Sequence, residues 1–112
     1  MLDPTTLNLT RYMDLLSARQ KLVTSNIANA DTPGYKTQDI DFQSEFMNLV
    51  QGQSPLTVQP EGLAEKPDGN NVSMDREARL LAENAIRFNL ASTLVRNQFK
   101  SIREAIDEGK NS

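Results

Sequence analysis

The chain has 112 residues, a formal net charge of -3 and 24% charged residues, so it lacks the basic excess of a nucleic-acid-binding surface. It contains no cysteine and no histidine, which excludes disulfides, thiolate chemistry and histidine-based zinc sites. With 38% hydrophobic residues, two tyrosines, four phenylalanines and no tryptophan, it is one small domain at most and lean in core-forming side chains.

The first predicted element is a helix within residues 1–31. Asp3 is placed to cap it and Pro4 to occupy its first position, with Thr5 and Thr6 as competing caps. Leu9, Met13, Leu16, Gln20, Val23, Ile27 and Ala30 alternate in steps of four and three, a heptad seam with Gln20 as its polar member. Tyr12, Leu15 and Leu22 widen it. The helix is expected to end between Asn29 and Asp31, because Thr32 precedes a proline and is pushed out of helical geometry.

The helix stop itself, "SNIANADTPGY" over residues 25–35, is overbuilt. Pro33-Gly34 fits the central positions of a type II turn, and Asp31 can hydrogen-bond to its own downstream backbone. Asn26 and Asn29 lie one turn apart beside the small residues Ala28 and Ala30, where amides can fix the register of a close neighbour. Tyr35 offers a ring for the helix and a hydroxyl for a partner. Spacing alone favours a well-capped stop. The alternative is that Asn26, Asn29 and Tyr35 meet a neighbouring subunit.

Residues 32–72 form an irregular, extended middle segment holding most of the glycines and prolines. Asp39 and Asp41 could be paired carboxylates, but no further ligands follow at fixed offsets, and a solvated edge around inward-facing Ile40 and Phe42 is the favoured reading. Phe42 to Val50 carries apolar residues at helical spacing, enough for two turns. Residues 55–62 read as extended and 66–71, "KPDGNN", as a turn. A stretch this irregular usually marks a binding loop or a segment ordered by partners.

The last element is a helix within residues 73–112, capped by Ser73, with Asp75 and Glu77 in its first turn and Gly109 as its stop. Its seam is Met74, Ala78, Leu81, Ala85, Phe88, Ser92, Val95, Phe99, Ile102 and Ile106. From Ser73 to Glu108 it would span roughly 54 Å at ~1.5 Å per residue, longer than a compact globule of this size. Arg76, Arg79, Arg87, Arg96 and Arg103 alternate with acids, as in the pair Glu83 and Arg87, so a solvated or subunit-bridging charged face is expected.

The fold class is therefore all-α and elongated: long N- and C-terminal heptad helices form a coiled-coil-type hairpin or assembly, joined by the irregular middle. Two helices packed only on each other leave their outer flanks uncovered, the pattern of an assembly subunit. No apolar run approaches the length of a membrane span, and the N-terminus lacks the basic start and apolar stretch of a cleavable signal peptide. With no histidine and no S-x-x-K motif, an enzyme is not expected.

"SNIANADTPGYKTQDIDF" closely resembles the N-terminal signature of bacterial flagellar axial proteins, and most of all the proximal-rod family of the basal body. "DGNNVSMDRE" followed by a heptad helix is similar to the second block of that family. The resemblance implies a structural subunit of the rod that transmits torque, with no cofactor, metal or small-molecule substrate and no nucleic-acid partner. It implies that copies of the chain, other rod proteins, an adaptor joining the rod base to the inner-membrane ring and export gate, and the flagellar type III export apparatus are its partners. It also implies a periplasmic location reached without a cleaved signal. Carried over, the subunit-assembly joint maps to Asn26, Asn29, Asp31, Thr32, Pro33, Gly34, Tyr35, Lys36, Asp39, Asp41 and Phe42. Alternatives are another axial component or, from a different class, a helical secretion chaperone or adaptor.

Overall fold

The computed structural model describes residues 3–50 and 55–110, without the side chains of residues 49 and 50. Three helices follow in order: α1 (Pro4–Ala28), α2 (Phe42–Val50) and α3 (Met74–Lys110). α1 and α3 pack antiparallel, with Gln20 opposite Asn84 and Asp3 opposite Gln98. α2 lies against α1. The molecule measures 71 × 25 × 18 Å, because α3 is far longer than its partner helix.

The helix starts follow the capping chemistry expected of them. The Asp3 carboxylate accepts the Thr6 amide at 2.8 Å, with Pro4 in the first turn. Ser73 Oγ accepts the Arg76 amide at 3.3 Å. α1 ends at Ala28 with Asn29 as its C-cap, at the near edge of the expected range, whereas α3 differs from expectation by continuing through Gly109 to Lys110.

Leu15, Leu16 and Val23 are the buried apolar residues of α1, while Leu9, Met13 and Ile27 are half-buried. On the outer side of α1, Tyr12 meets Phe42 and Phe46 of α2 edge-on at 5.5 and 5.9 Å. α3 departs from the seam read in its sequence. The row packed on α1 is Glu77, Leu80, Asn84 and Ala91, not the heptad row beside it. Of that heptad row, Val95 and Ile102 are half-buried, and Leu81, Phe88, Phe99 and Ile106 are 39%, 37%, 47% and 54% exposed. On the packed side Asn84 and Gln98 pair with Gln20 and Asp3, contacts that local periodicity does not record.

The middle segment is helical over Phe42–Val50, as its spacing predicts, and pairs at Val58 within the stretch expected to be extended, which bends at residues 61 and 62. Val58 pairs with Asp39 in an antiparallel bridge closed by two backbone hydrogen bonds of 2.8 and 2.7 Å. This bridge and the turn after Glu65 bring residues 35–40 and 66–73 together at the end of α1, and that junction is the densest polar site of the molecule.

Candidate functional site: the polar joint

The turn after α1 has the geometry its residues dictate. Gly34 takes φ +75, and the Tyr35 amide donates to the Thr32 carbonyl at 3.2 Å, as in a type II turn with Pro33 and Gly34 at its centre. The returning chain then runs back beside α1, and Asn26 reads it like a strand neighbour. Its amide donates to the Gln38 carbonyl at 2.8 Å and accepts the Gln38 amide at 3.0 Å. The same Oδ1 accepts the Tyr35 hydroxyl at 2.9 Å, with Asn26 fully buried. An amide side chain, with an NH2 donor group and a two-lone-pair acceptor oxygen, is the type that satisfies all three.

Asn29 donates to the Ser25 carbonyl at 2.9 Å and accepts the Thr32 hydroxyl at 3.0 Å. The groups expected to wait for a neighbouring subunit are thus engaged within their own chain. That expectation is corrected: Asn26, Asn29 and Tyr35 build the turn that carries the joint.

The second motif closes over the first. Asn70, also fully buried, donates from one nitrogen to the carbonyls of Asn29 (2.9 Å) and Thr32 (2.8 Å), and accepts the Val72 amide at 2.9 Å. Each of these carbonyls also accepts a turn amide, from Thr32 and Tyr35 respectively, so Asn70 adds a second donor to both and ties the turn to the second motif. Asn71 Oδ1 accepts the Thr37 amide at 2.6 Å, and the Gly34 amide donates to the Asp68 carbonyl at 2.9 Å. Lys36 reaches Glu65 at 2.6 Å and the Gly69 carbonyl, while Lys66 caps the Ala30 carbonyl at 3.0 Å. Gly69 permits the tight turn between Asp68 and Asn70 by taking φ +88.

Asp39 anchors a third layer. It is 4% exposed, and Arg19 of α1 grips it with two hydrogen bonds of 3.1 and 3.0 Å. Arg76 of α3 reaches the same carboxylate and also donates to Glu77 Oε1 at 2.8 Å. Two arginines and two carboxylates thus balance in charge between α1, the returning chain and α3. Burial pushes the Asp39 carboxyl up, but hydrogen bonds from Arg19 and the Ile40 amide, with the Arg19 charge and Arg76, hold it below the ordinary range. Glu77 is fully buried, and its Oε2 has no hydrogen-bond partner among the described residues.

A solvated edge at Asp39 is therefore corrected. The period-two pattern is right for Ile40, which is buried, but it carried no sign of arginines 20 and 37 residues away. Arg76 likewise leaves the solvated face expected for the arginines of α3, and no ion pair joins Glu83 to Arg87 among the described residues. Asp41 stays exposed and caps α2, accepting the Ser44 hydroxyl at 3.1 Å. Phe42 is half-buried beneath the Arg19 guanidinium, 5.6 Å from the ring centre. Asp31, Thr32, Pro33 and Gly34 form the exposed lip of the turn.

The sequence segment that builds this joint is the one that comparison picks out. A family model described as "Flagella basal body rod protein" matches residues 13–36. The flagellar basal body rod protein FlgB of Yersinia enterocolitica is 33% identical, over 87% of this chain and 89% of its own. The FlgB proteins of Salmonella typhimurium and Escherichia coli K12 are 31% and 30% identical, each over 87% of this chain and 88% of their own. This chain belongs to the FlgB family. In this FlgB-family chain, the two motifs read 40 residues apart are the two halves of one clasp. Among the joint residues that sequence reading left out are Arg19, Asn70, Asn71 and Arg76. The signal for Asn70 and Asn71 was present, since "DGNN" carries two amides beyond what a turn needs.

Proposed function

We propose that this chain is a structural subunit of the proximal flagellar rod, transmitting torque through its helices and catalysing no reaction. Family membership supports the rod. The observation that carries the assembly reading is α3, which runs past the start of α1 with its heptad row uncovered. Asp3 meets Gln98, so residues 99–110 extend about 18 Å further at ~1.5 Å per residue. Phe99 and Ile106 on that extension are about half exposed.

In this reading the helix row Leu81, Phe88, Val95, Phe99, Ile102 and Ile106 meets other subunits, as do the flanks of Leu9, Met13 and Ile27. The joint sets the angle at which the chain leaves α1, and its lip of Asp31 to Gly34 meets a neighbour. Partners are copies of the chain, other rod proteins, the adaptor at the rod base and the type III export apparatus. In this reading the chain lies in the periplasmic part of the rod.

Complementation tests the reading directly. In a strain lacking its own proximal-rod subunit, the chain is expected to restore swimming and to co-purify with basal bodies. Phe99→Glu with Ile106→Glu is expected to abolish both while leaving helicity intact. A chain that never enters basal bodies, or a double variant that swims normally, breaks the reading.

A further inference from the structure

The packed row of α3 is less apolar than the heptad row beside it. Glu77, Asn84 and Gln98 all lie on or beside it, yet each has a partner: Arg76, Gln20 and Asp3 respectively. The row about 60° away around the helix, at 100° per residue, holds Leu81, Phe88 and Phe99 and stays open. Hydrophobic burial alone would favour turning α3 to bury that second row.

We infer that the Gln20–Asn84 amide pair, supported by Asp3–Gln98, selects the row that α1 covers, and so reserves the apolar row for α3 of a second copy of this chain. The inference rests on the rod reading for the existence of an assembly. The Gln20–Asn84 bond (3.3 Å) is directional, and turning α3 would leave Gln20 facing apolar side chains without a partner. An amide in an otherwise apolar seam fixes which faces meet at a cost in stability, which is its best-attested use in helix pairing.

The occupant follows from the row itself. Leu81, Phe88, Val95 and Ile102 repeat every seven residues, and Ala85, Ser92, Phe99 and Ile106 interleave with them. That spacing matches a helix of the same period, and every copy carries one. A groove of about 510 Å³ between α1 and α3, walled by Leu16, Gln20, Leu81, Ala85 and Phe88, opens along the row. The exposed parts of Met74, Leu81, Phe88, Phe99 and Ile106 offer on the order of 400 Å² per copy, half of the ~800 Å² per partner of a standard interface. Two copies in solution therefore associate weakly, and the contact persists where several such contacts act together.

The chain has no cysteine, so Ser92→Cys places a single reporter thiol on the row. In the full chain, thiol labelling is expected to slow and the sedimenting mass to rise as concentration increases. Gln20→Leu should turn α3, slow labelling about tenfold at every concentration and abolish association. Adding Asn84→Leu makes the first row apolar, which should return α3 to it and restore fast labelling and association. Equal labelling in all three backgrounds overturns the selector role. A wild-type chain whose mass and labelling ignore concentration overturns the second copy as occupant. Association without restored motility breaks the rod reading alone. Restored motility with equal labelling in the three backgrounds breaks this inference alone.

Discussion

At the joint end of the hairpin, Asn26, Asp39, Asn70 and Glu77 are almost or fully buried, whereas at the far end Phe99 and Ile106 stand half in solvent. One end holds itself together with directional polar bonds between distant parts of the same chain. The other displays apolar surface that its own chain does not cover. The usual arrangement, apolar inside and polar outside, is inverted along the length of one helix. Directional self-recognition is thus concentrated at the joint end, while exposed apolar surface runs along α3 and is the part left uncovered at the far end.

That contrast makes a graded set of expectations for stability, measured by urea unfolding. Asp39→Ala should cost most, about 3–5 kcal/mol, because it leaves two largely buried arginines without their shared carboxylate. The same site gives a pH signature. Its folded pKa is depressed, so its contribution is present above the ordinary unfolded value of ~3.9 and is lost as pH falls through the lower folded value. Wild-type stability should fall in that acid range, and the Asp39→Asn profile should be flatter there.

Asn26→Leu comes next, at about 3 kcal/mol. It takes the partner from the half-buried Gln38 amide and carbonyl, leaves the Tyr35 hydroxyl only its longer 3.4 Å contact with Ser25, and a buried polar group without a partner costs ~1–3 kcal/mol. Gly34→Ala should cost about 1–2 kcal/mol, purely from its left-handed backbone, because an added Cβ meets no atom within 4 Å. Gly34→Val should additionally block motility, read on soft agar. At the open end, Phe99→Ser should change the unfolding free energy by less than about 0.5 kcal/mol and still impair swimming. If Phe99→Ser costs as much as Asn26→Leu, the contrast between the two ends fails.

Legibility in the sequence followed the same division. Elements specified by neighbours in sequence were readable: the Asp3 and Ser73 caps, the turn at Pro33-Gly34, the α2 segment from Phe42 to Val50, and Leu16 and Val23 as core. Elements specified by partners far along the chain were not. Asp39 was misread because its arginines come from two different helices. The packed row of α3 was misread because Gln20 and Asp3, not periodicity, choose it. Asn26 and Asn29 were correctly singled out as carrying surplus hydrogen-bonding capacity, but the partner proved to be the same chain.

The clasp also sets an order of events when the chain folds. Asn29 meets Asn70 across 41 residues, and Asp3 meets Gln98 across 95. Loops of that size close late, since chain entropy must be lost before their contacts return anything. α1 can meet α2 and the returning chain early, but it lacks α3 until the last third of the chain is present. A polypeptide delivered from its N-terminus would stay slack over most of its length, then shut at the joint once "DGNN" arrives.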